Sequence, residues 1–327
     1  MKILFIANNK QNDFLSDAVF HGLLCMDNVE VVDYNPLWYM YNDIDKNMLV
    51  NRFHGRGFTY YASLPPNNVD RNDIENKIRN RYFDTIIYGN IQRNSDLKEI
   101  VFQYYNEDNI IVLDGQDETS LSTDYILNTI YFKREFILDD YYKYPFIKPI
   151  SFAQPQNKIV GGIVQKEKLV AHVIPGVSET FIFTNEDDYF EDYAVSLFGF
   201  TWKKSGWDCL RHYEIISSAC MPLFLDIEKC PPTICSTYPK DILIEYYKKS
   251  GLYDIFNMGG EFEYDERNTM ITNRDLNLIN NLEIDDNFYR LYSEYMEKLI
   301  SYTKTKLTTR SLAEYVLSFV KKYGNDL

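Results

Sequence analysis

Apolar residues run without alternation from Lys2 to Ala7, the pattern of a strand buried on both faces of a parallel sheet. A polar stretch at 8–12 breaks the run. From Phe14 to Met26 apolar residues return at helical spacing, and 29–34 reads as a second strand. Strand, helix and strand within about 35 residues make a βαβ unit. The pattern recurs with a strand at 85–89, a helix at 96–105 and a strand at 110–114. This last strand runs into the acidic loop Gly115-Gln116-Asp117-Glu118. On doubly wound sheets ligands sit beyond the carboxyl ends of the strands, so these loops are candidate site walls.

A polar connection with Gly and Pro at 50–70 is too long for a simple crossover, and loops of that length are often functional. The Pro-punctuated stretch 145–155 is the expected hinge. Beyond it the pattern predicts strands at 158–164, 169–174 and 179–184, then a helix at 188–198. A helix at 207–219, a strand at 221–225 and helical stretches at 241–250 and 286–323 follow. The expected organisation is an N-terminal α/β domain over 1–150, a C-terminal one over 151–285 and a helical segment over 286–327.

A chain of 327 residues is long enough for two such cores. Its net charge, 34 − 48 = −14, argues against nucleic acid as the principal partner and against a polybasic membrane anchor. No apolar run reaches the length of a membrane span. Five cysteines at low density, without a CxxC pair, read as reduced thiols in a cytoplasmic protein, not as a disulfide frame or a zinc site. The four histidines lack metal-ligand spacing, and His21 and His172 read as core-edge or surface residues. The turn after the first strand has no glycine, which sets aside a dinucleotide-binding dehydrogenase. No P-loop and no GxSxG elbow occurs.

The most informative segment is 201–226, TWKKSGWDCLRHYEIISSACMPLFLD. Ser205 to Asp208 fits a loose capping box, which predicts a helix whose free N–H groups and positive dipole end face the Lys203–Lys204 loop. Two ammonium groups and backbone N–H donors there suit a diphosphate. Arg211 adds a guanidinium fork, and Glu214, three residues on, shares its helix face. Taken singly, each of these residues fits a solvated turn or a surface ion pair; taken as one string they point to an anion site.

This string, with the Ser-Ala-Cys-Met-Pro turn and the strand after it, resembles the donor-binding helix of exostosin-like glycosyltransferases of the GT-B type. The segments LDGQDE (113–118), YFKRE (131–135), PISFAQP (149–155) and FHGRGF (53–58) are similar to bacterial and phage relatives of that group. The likeness is strongest over 110–230 and nearly absent after 240. It implies an α/β fold of two Rossmann-like, doubly wound domains facing a cleft, with a C-terminal helix that crosses back onto the first domain. It implies transfer of a sugar from a nucleotide sugar to an acceptor (a glycan, a protein or a small molecule), with no cofactor beyond that co-substrate and no bound metal. Asp43 and Asp45 match a DxD triplet in letters only.

Carried over by position, Lys203, Lys204 and Arg211 would stabilise the departing diphosphate. Trp207 and Asp208 would line the donor site, Glu214 would hold ribose, and His212 would face the donor or serve the core. Asp114, Asp117, Glu118 and His54 are candidates for a general base. Arg56, Lys133 and Arg134 would line the acceptor side, although Lys133 and Arg134 read equally as a charge pair at a helix end. A scaffold of the same fold that binds nucleotide sugar or glycan without catalysis is the alternative, and the 53–58 loop fits a plain surface loop as well as a substrate loop.

Overall fold

The computed structural model describes residues 1–260 and 273–320, and at residues 54 and 273–276 the backbone alone. The chain divides into two compact units, Met1–Pro155 with Thr308–Leu327, and Gln156–Leu307.

The first unit opens with β1 (Lys2–Ile6), α1 (Phe14–Leu24) and β2 (Glu30–Asp33). It continues through α2 (Ile74–Arg79), β3 (Thr85–Tyr88), α3 (Lys98–Tyr104) and β4 (Ile110–Asp114). The short elements α4 (Thr123–Ile126), β5 (Ile130–Lys133), α5 (Leu138–Lys143) and β6 (Lys148–Pro149) follow. All neighbouring strands pair in parallel, in the order β2-β1-β3-β4-β5-β6. The chain reverses its direction of winding between β1 and β3, so their carboxyl ends form the switch point of the sheet. Apart from Lys2 at its amino end, β1 is buried along its length, and β3 and β4 are buried at every position. That burial on both faces is why their sequences are apolar without alternation.

The second unit contains β7 (Lys168–Val170), α6 (Glu186–Ala194), β8 (Ser196–Thr201), α7 (Leu210–Ser217) and β9 (Met221–Phe224). Its strands form a parallel sheet in the order β7-β8-β9. Then come α8 (Lys240–Lys249), α9 (Leu252–Ile255), α10 (Asn273–Asn280) and the long α11 (Asp286–Lys306).

The last helix, α12 (Thr309–Leu317), belongs to the first unit. Thr308 caps it by accepting from Ser311 N–H and bridges in parallel to Gln154. The stretch expected as one helical segment at 286–323 therefore breaks at 307–308, and residues 321–323 lie outside the described part. α12 packs on α1: a Cβ on Gly22 would stand 1.9 Å from the Thr309 carbonyl oxygen. Leu4, Ile86 and Val112 join Ile78 of α2 and Val101 of α3 in one core. Alternate strand residues face the other way, Phe5 onto Phe20 of α1 and Phe132 onto Tyr315 of α12. The first sheet is thus covered by helices on both faces.

Three further expectations are corrected. No strand forms at 158–164: Gly161 and Gly162 stand in open space, and Val160 N–H donates to Ser217 O at the end of α7. None forms at 179–184, where Thr180 Oγ1 bonds Ile174 N–H and the Val177 carbonyl and holds a tight turn instead. The helix expected to reach Phe198 stops at Ala194, and Ser196–Thr201 becomes the middle strand, buried at every position.

Lys166 ties two helix ends together. Its Nζ donates to Ala194 O and Ala219 O, 2.7 and 2.6 Å away. Burial lowers its pKa to about 8, against the nearby Cys220. Past α7 the chain turns through Ala219, whose φ of 55° is left-handed. Cys220 N–H reaches back to Ile215 O and Ala219 N–H to Ile216 O, the paired bonds of a Schellman end.

Candidate functional site

In the second unit, α7 starts later than the capping box predicts. Its N-cap is Cys209, with no side-chain cap, because Asp208 is buried and accepts from Tyr213 Oη at 2.7 Å. Arg211 is the second helical residue and is half-buried. Its Cζ lies 5.2 Å from the ring centre of Phe181, in the loop after β7. Glu214 is buried and accepts from Tyr189 Oη of α6 at 2.6 Å. Arg211 Nε is buried without a hydrogen-bond partner. Burial opposes the Arg211 charge, but Tyr189, Tyr193 and Glu214 outweigh it and raise the pKa, so the guanidinium stays charged. A fixed cation with an unused donor at the carboxyl end of a parallel sheet is a place for an anion.

The other residues of the string divide. Lys203 and Lys204 are half-buried in the loop before α7. Lys203 N–H points at the Asp226 carboxylate, 3.3 Å away, and its Nζ lies 5.4 Å from the ring of Trp207. His212 is fully buried and serves the core. Its Nδ1 meets Thr201 Oγ1 at 2.6 Å, its Nε2 meets Trp207 O at 2.8 Å, and its ring stacks on Phe224. With both nitrogens engaged it faces no ligand.

In the first unit, three of the expected acceptor-side residues are consumed by one buried charge network at the ends of β4 and β5. Asp114 accepts from Tyr131 Oη at 2.5 Å, from Lys133 Nζ at 3.0 Å and from Gln116 N–H at 3.2 Å. With these three donors and its burial the carboxylate is closed to solvent, so it is not an open base. Lys133 and Arg134 end a strand, not a helix, and both are buried. Arg134 binds Gly115 O, Glu135 and Asp117 and lies over Phe152. Asp117 is thereby held by an ion pair, and Glu118 is exposed. Residues 53–58 form a defined turn in which Gly55, Arg56 and Gly57 all have positive φ (73°, 57° and 74°). Arg56 is half-buried there; the His54 side chain lies outside the described part.

The switch point itself holds residues that sequence reasoning passed over. Asp13 caps α1 through Oδ1, accepting from Ser16 N–H at 3.0 Å. Its Oδ2 accepts from Asn90 Nδ2 at 2.8 Å and stands 3.9 Å from Arg93 Nη1. Arg93 also reaches Asn12 O and Gln116 Oε1, both at 3.3 Å. A Cβ on Gly115 would stand 2.9 Å from Asp13 Oδ1 and 3.0 Å from Leu15 Cβ, so a side chain there would crowd Asp13. Behind Asp13, buried Asp17 accepts from Tyr39 Oη and Tyr61 Oη, each at 2.9 Å, and from Asp13 N–H. Burial and then the charge of Asp13 push the Asp17 pKa up to about 8, against the two phenol hydrogen bonds. The only trace in the sequence is Asp13 ahead of an apolar helical run, the mark of an ordinary N-cap.

All five cysteines are free, and among the described residues no group of three or more His, Cys, Asp or Glu is placed to hold a metal ion. No described helix is long and apolar enough to cross a membrane. Comparison with known proteins finds no matching family model, no matching curated protein and no matching solved structure.

Proposed function

We propose that this chain is a GT-B-type glycosyltransferase whose second unit binds the diphosphate of a nucleotide sugar at Arg211. The observation that carries the reading is the Arg211 guanidinium: charged, half-buried, its Nε without a partner, on the first turn of a helix at the carboxyl end of a parallel sheet. An anion there gains a charge-assisted hydrogen bond at the amino end of α7, which no side chain caps. As the sugar–phosphate bond breaks, negative charge grows on the leaving diphosphate, and a fixed cation stabilises it. Lys203 and Lys204, in the loop ahead of the helix, add positive charge on the same side of the sequence. Glu214, held by Tyr189, offers a carboxylate for hydroxyl groups of the same ligand.

The test is thermal stabilisation by UDP, GDP, CMP, dTDP and ADP, each with and without Mg²⁺, on wild type and on Arg211→Ala. A ligand that binds the folded chain raises Tm in proportion to RT ln(1 + [L]/Kd). One nucleotide is expected to stabilise the wild type, and its affinity to fall about 10- to 100-fold in the variant, the loss of one charged hydrogen bond. A nucleotide shift that Arg211→Ala leaves untouched places the ligand elsewhere. No shift with any nucleotide removes the reading.

A further inference from the structure

We propose that Lys166, in the second unit, is a nucleophilic amine that takes an acyl group from acyl phosphates, and that acylation cuts the tie it makes between the ends of α6 and α7. This holds whether or not the chain is a transferase. The tie has an uneven count of donors and acceptors. Nζ reaches Ala194 O at 2.7 Å and Ala219 O at 2.6 Å. Among the described residues it has no third acceptor and pairs with no carboxylate. An ammonium has three N–H groups to place; an amine has two and a lone pair. In a half-buried position with two acceptors and no counter-ion, the amine is the form the site completes.

The neighbours support that form. Burial raises the pKa of the Cys220 thiol and of the Tyr292 phenol, whose ring centre lies 5.9 Å from Nζ, so neither supplies a negative charge near neutral pH. Burial lowers Lys166 itself to about 8. At about pH 7.5 roughly a quarter of it is then free amine, against about a thousandth of an ordinary lysine. Access comes from the chain on either side, where Gly161, Gly162, Val164, Gln165 and Glu167 are exposed. The two carbonyls hold the two N–H groups and leave the lone pair uncommitted, which is the arrangement of an activated lysine.

The donor count also selects the acyl group. A carbamate formed with carbon dioxide would set a negative charge against two carbonyl oxygens, and a neutral imine formed with an aldehyde would leave no N–H at all. An amide is neutral and keeps one. In the reaction the Nζ lone pair bonds to the acyl carbon. The bond from that carbon to the phosphate oxygen breaks with its electron pair, and the surplus proton on nitrogen leaves with the phosphate. One N–H cannot serve two carbonyls. Ala219 O keeps Tyr292 Oη at 3.1 Å, so the bridge opens without leaving both helix ends bare.

The experiment treats the full chain with acetyl phosphate and follows each lysine by peptide mass spectrometry. At about pH 7.5 Lys166 is expected to acetylate about 10-fold faster, or more, than the exposed Lys10 and Lys306. Its rate should level off above about pH 8, while theirs climb about 10-fold per pH unit. A lysine that serves only as a structural cation shows neither behaviour. Hydrogen exchange on the acetylated chain should quicken about 3- to 10-fold in the final turn of α6 or of α7, whichever gives up the bond. Lys166→Arg, treated in the same way, should show no such change. Acetylation of Lys166 no faster than of Lys10 and Lys306 overturns the proposal. Unchanged exchange in both final turns, or the same change in treated Lys166→Arg, overturns the opening of the tie. Neither readout involves a nucleotide, so failure here is separate from failure of the transferase reading.

Discussion

Asp17 gives the residue scale its sharpest measurable consequence. In the unfolded chain it titrates near the ordinary value of 3.8; in the folded chain, near 8. Between those values the native state holds a proton that the unfolded state lacks. The group therefore favours folding most below the lower value, and its contribution drains away as pH rises to the upper one, at up to about 1.4 kcal/mol per pH unit. Asp17→Asn should flatten that slope: denaturant midpoints at about pH 5 and about pH 8 should lie closer together than in wild type. An unchanged difference would place the titration elsewhere. The placing of Arg211 and Glu214 on one helix was legible in the sequence because a charged pair stood at helical spacing beside two lysines. Asp13 and Asp17 were not, because their partners Tyr39, Tyr61, Asn90 and Arg93 come from distant loops. His212 shows the limit of the string: its place there fits a donor contact and a core residue equally, and Thr201 and the Trp207 carbonyl decide for the core.

Among the elements, the second unit depends on how α6 and α7 end. Both final turns present carbonyls to one side chain, Lys166. The neutral amine keeps two N–H groups, so either protonation state can bond both carbonyls. Lys166→Met removes both donors. Ala219 O retains Tyr292 Oη at 3.1 Å, whereas Ala194 O loses its donor from Lys166. The expected cost is about 1–3 kcal/mol, read as a lower denaturation midpoint with an unchanged m-value. Strands of the first sheet were readable because burial on both faces makes them apolar throughout. Ser196–Thr201 was misread for the same reason: a short apolar run after a helix does not say where the helix ends. β5 and β6 were missed because each is short and ends in charge or proline. At the other extreme, 158–164 looks like a strand in composition, but two glycines and a bond to the end of α7 take it out of any sheet.

For the whole molecule, the decisive fact is that α12 belongs with α1 while α11 belongs to the other unit. Ending the chain after Leu307 should strip hydrogen-exchange protection from α1 and β1 and leave β8, α7 and α11 protected. Gly22→Val should do the same from a single position, since even a Cβ meets the Thr309 carbonyl at 1.9 Å. Equal loss of protection in both units would contradict the division. The two-unit plan was legible from the restart of the α/β pattern past Pro155. The ownership of the last helix was not, because periodicity records that a helix is amphipathic and not which face of the protein receives it.

That ownership also orders events during synthesis. On the ribosome the strands of the six-stranded sheet emerge before the second unit, yet the helix that covers α1 is made after it. The middle of the chain, Gln156–Leu307, can fold as soon as it clears the exit tunnel, while the earlier segment waits with the Gly22 face of α1 uncovered. A nascent chain stalled before Thr308 is thus the state in which this protein most needs a chaperone.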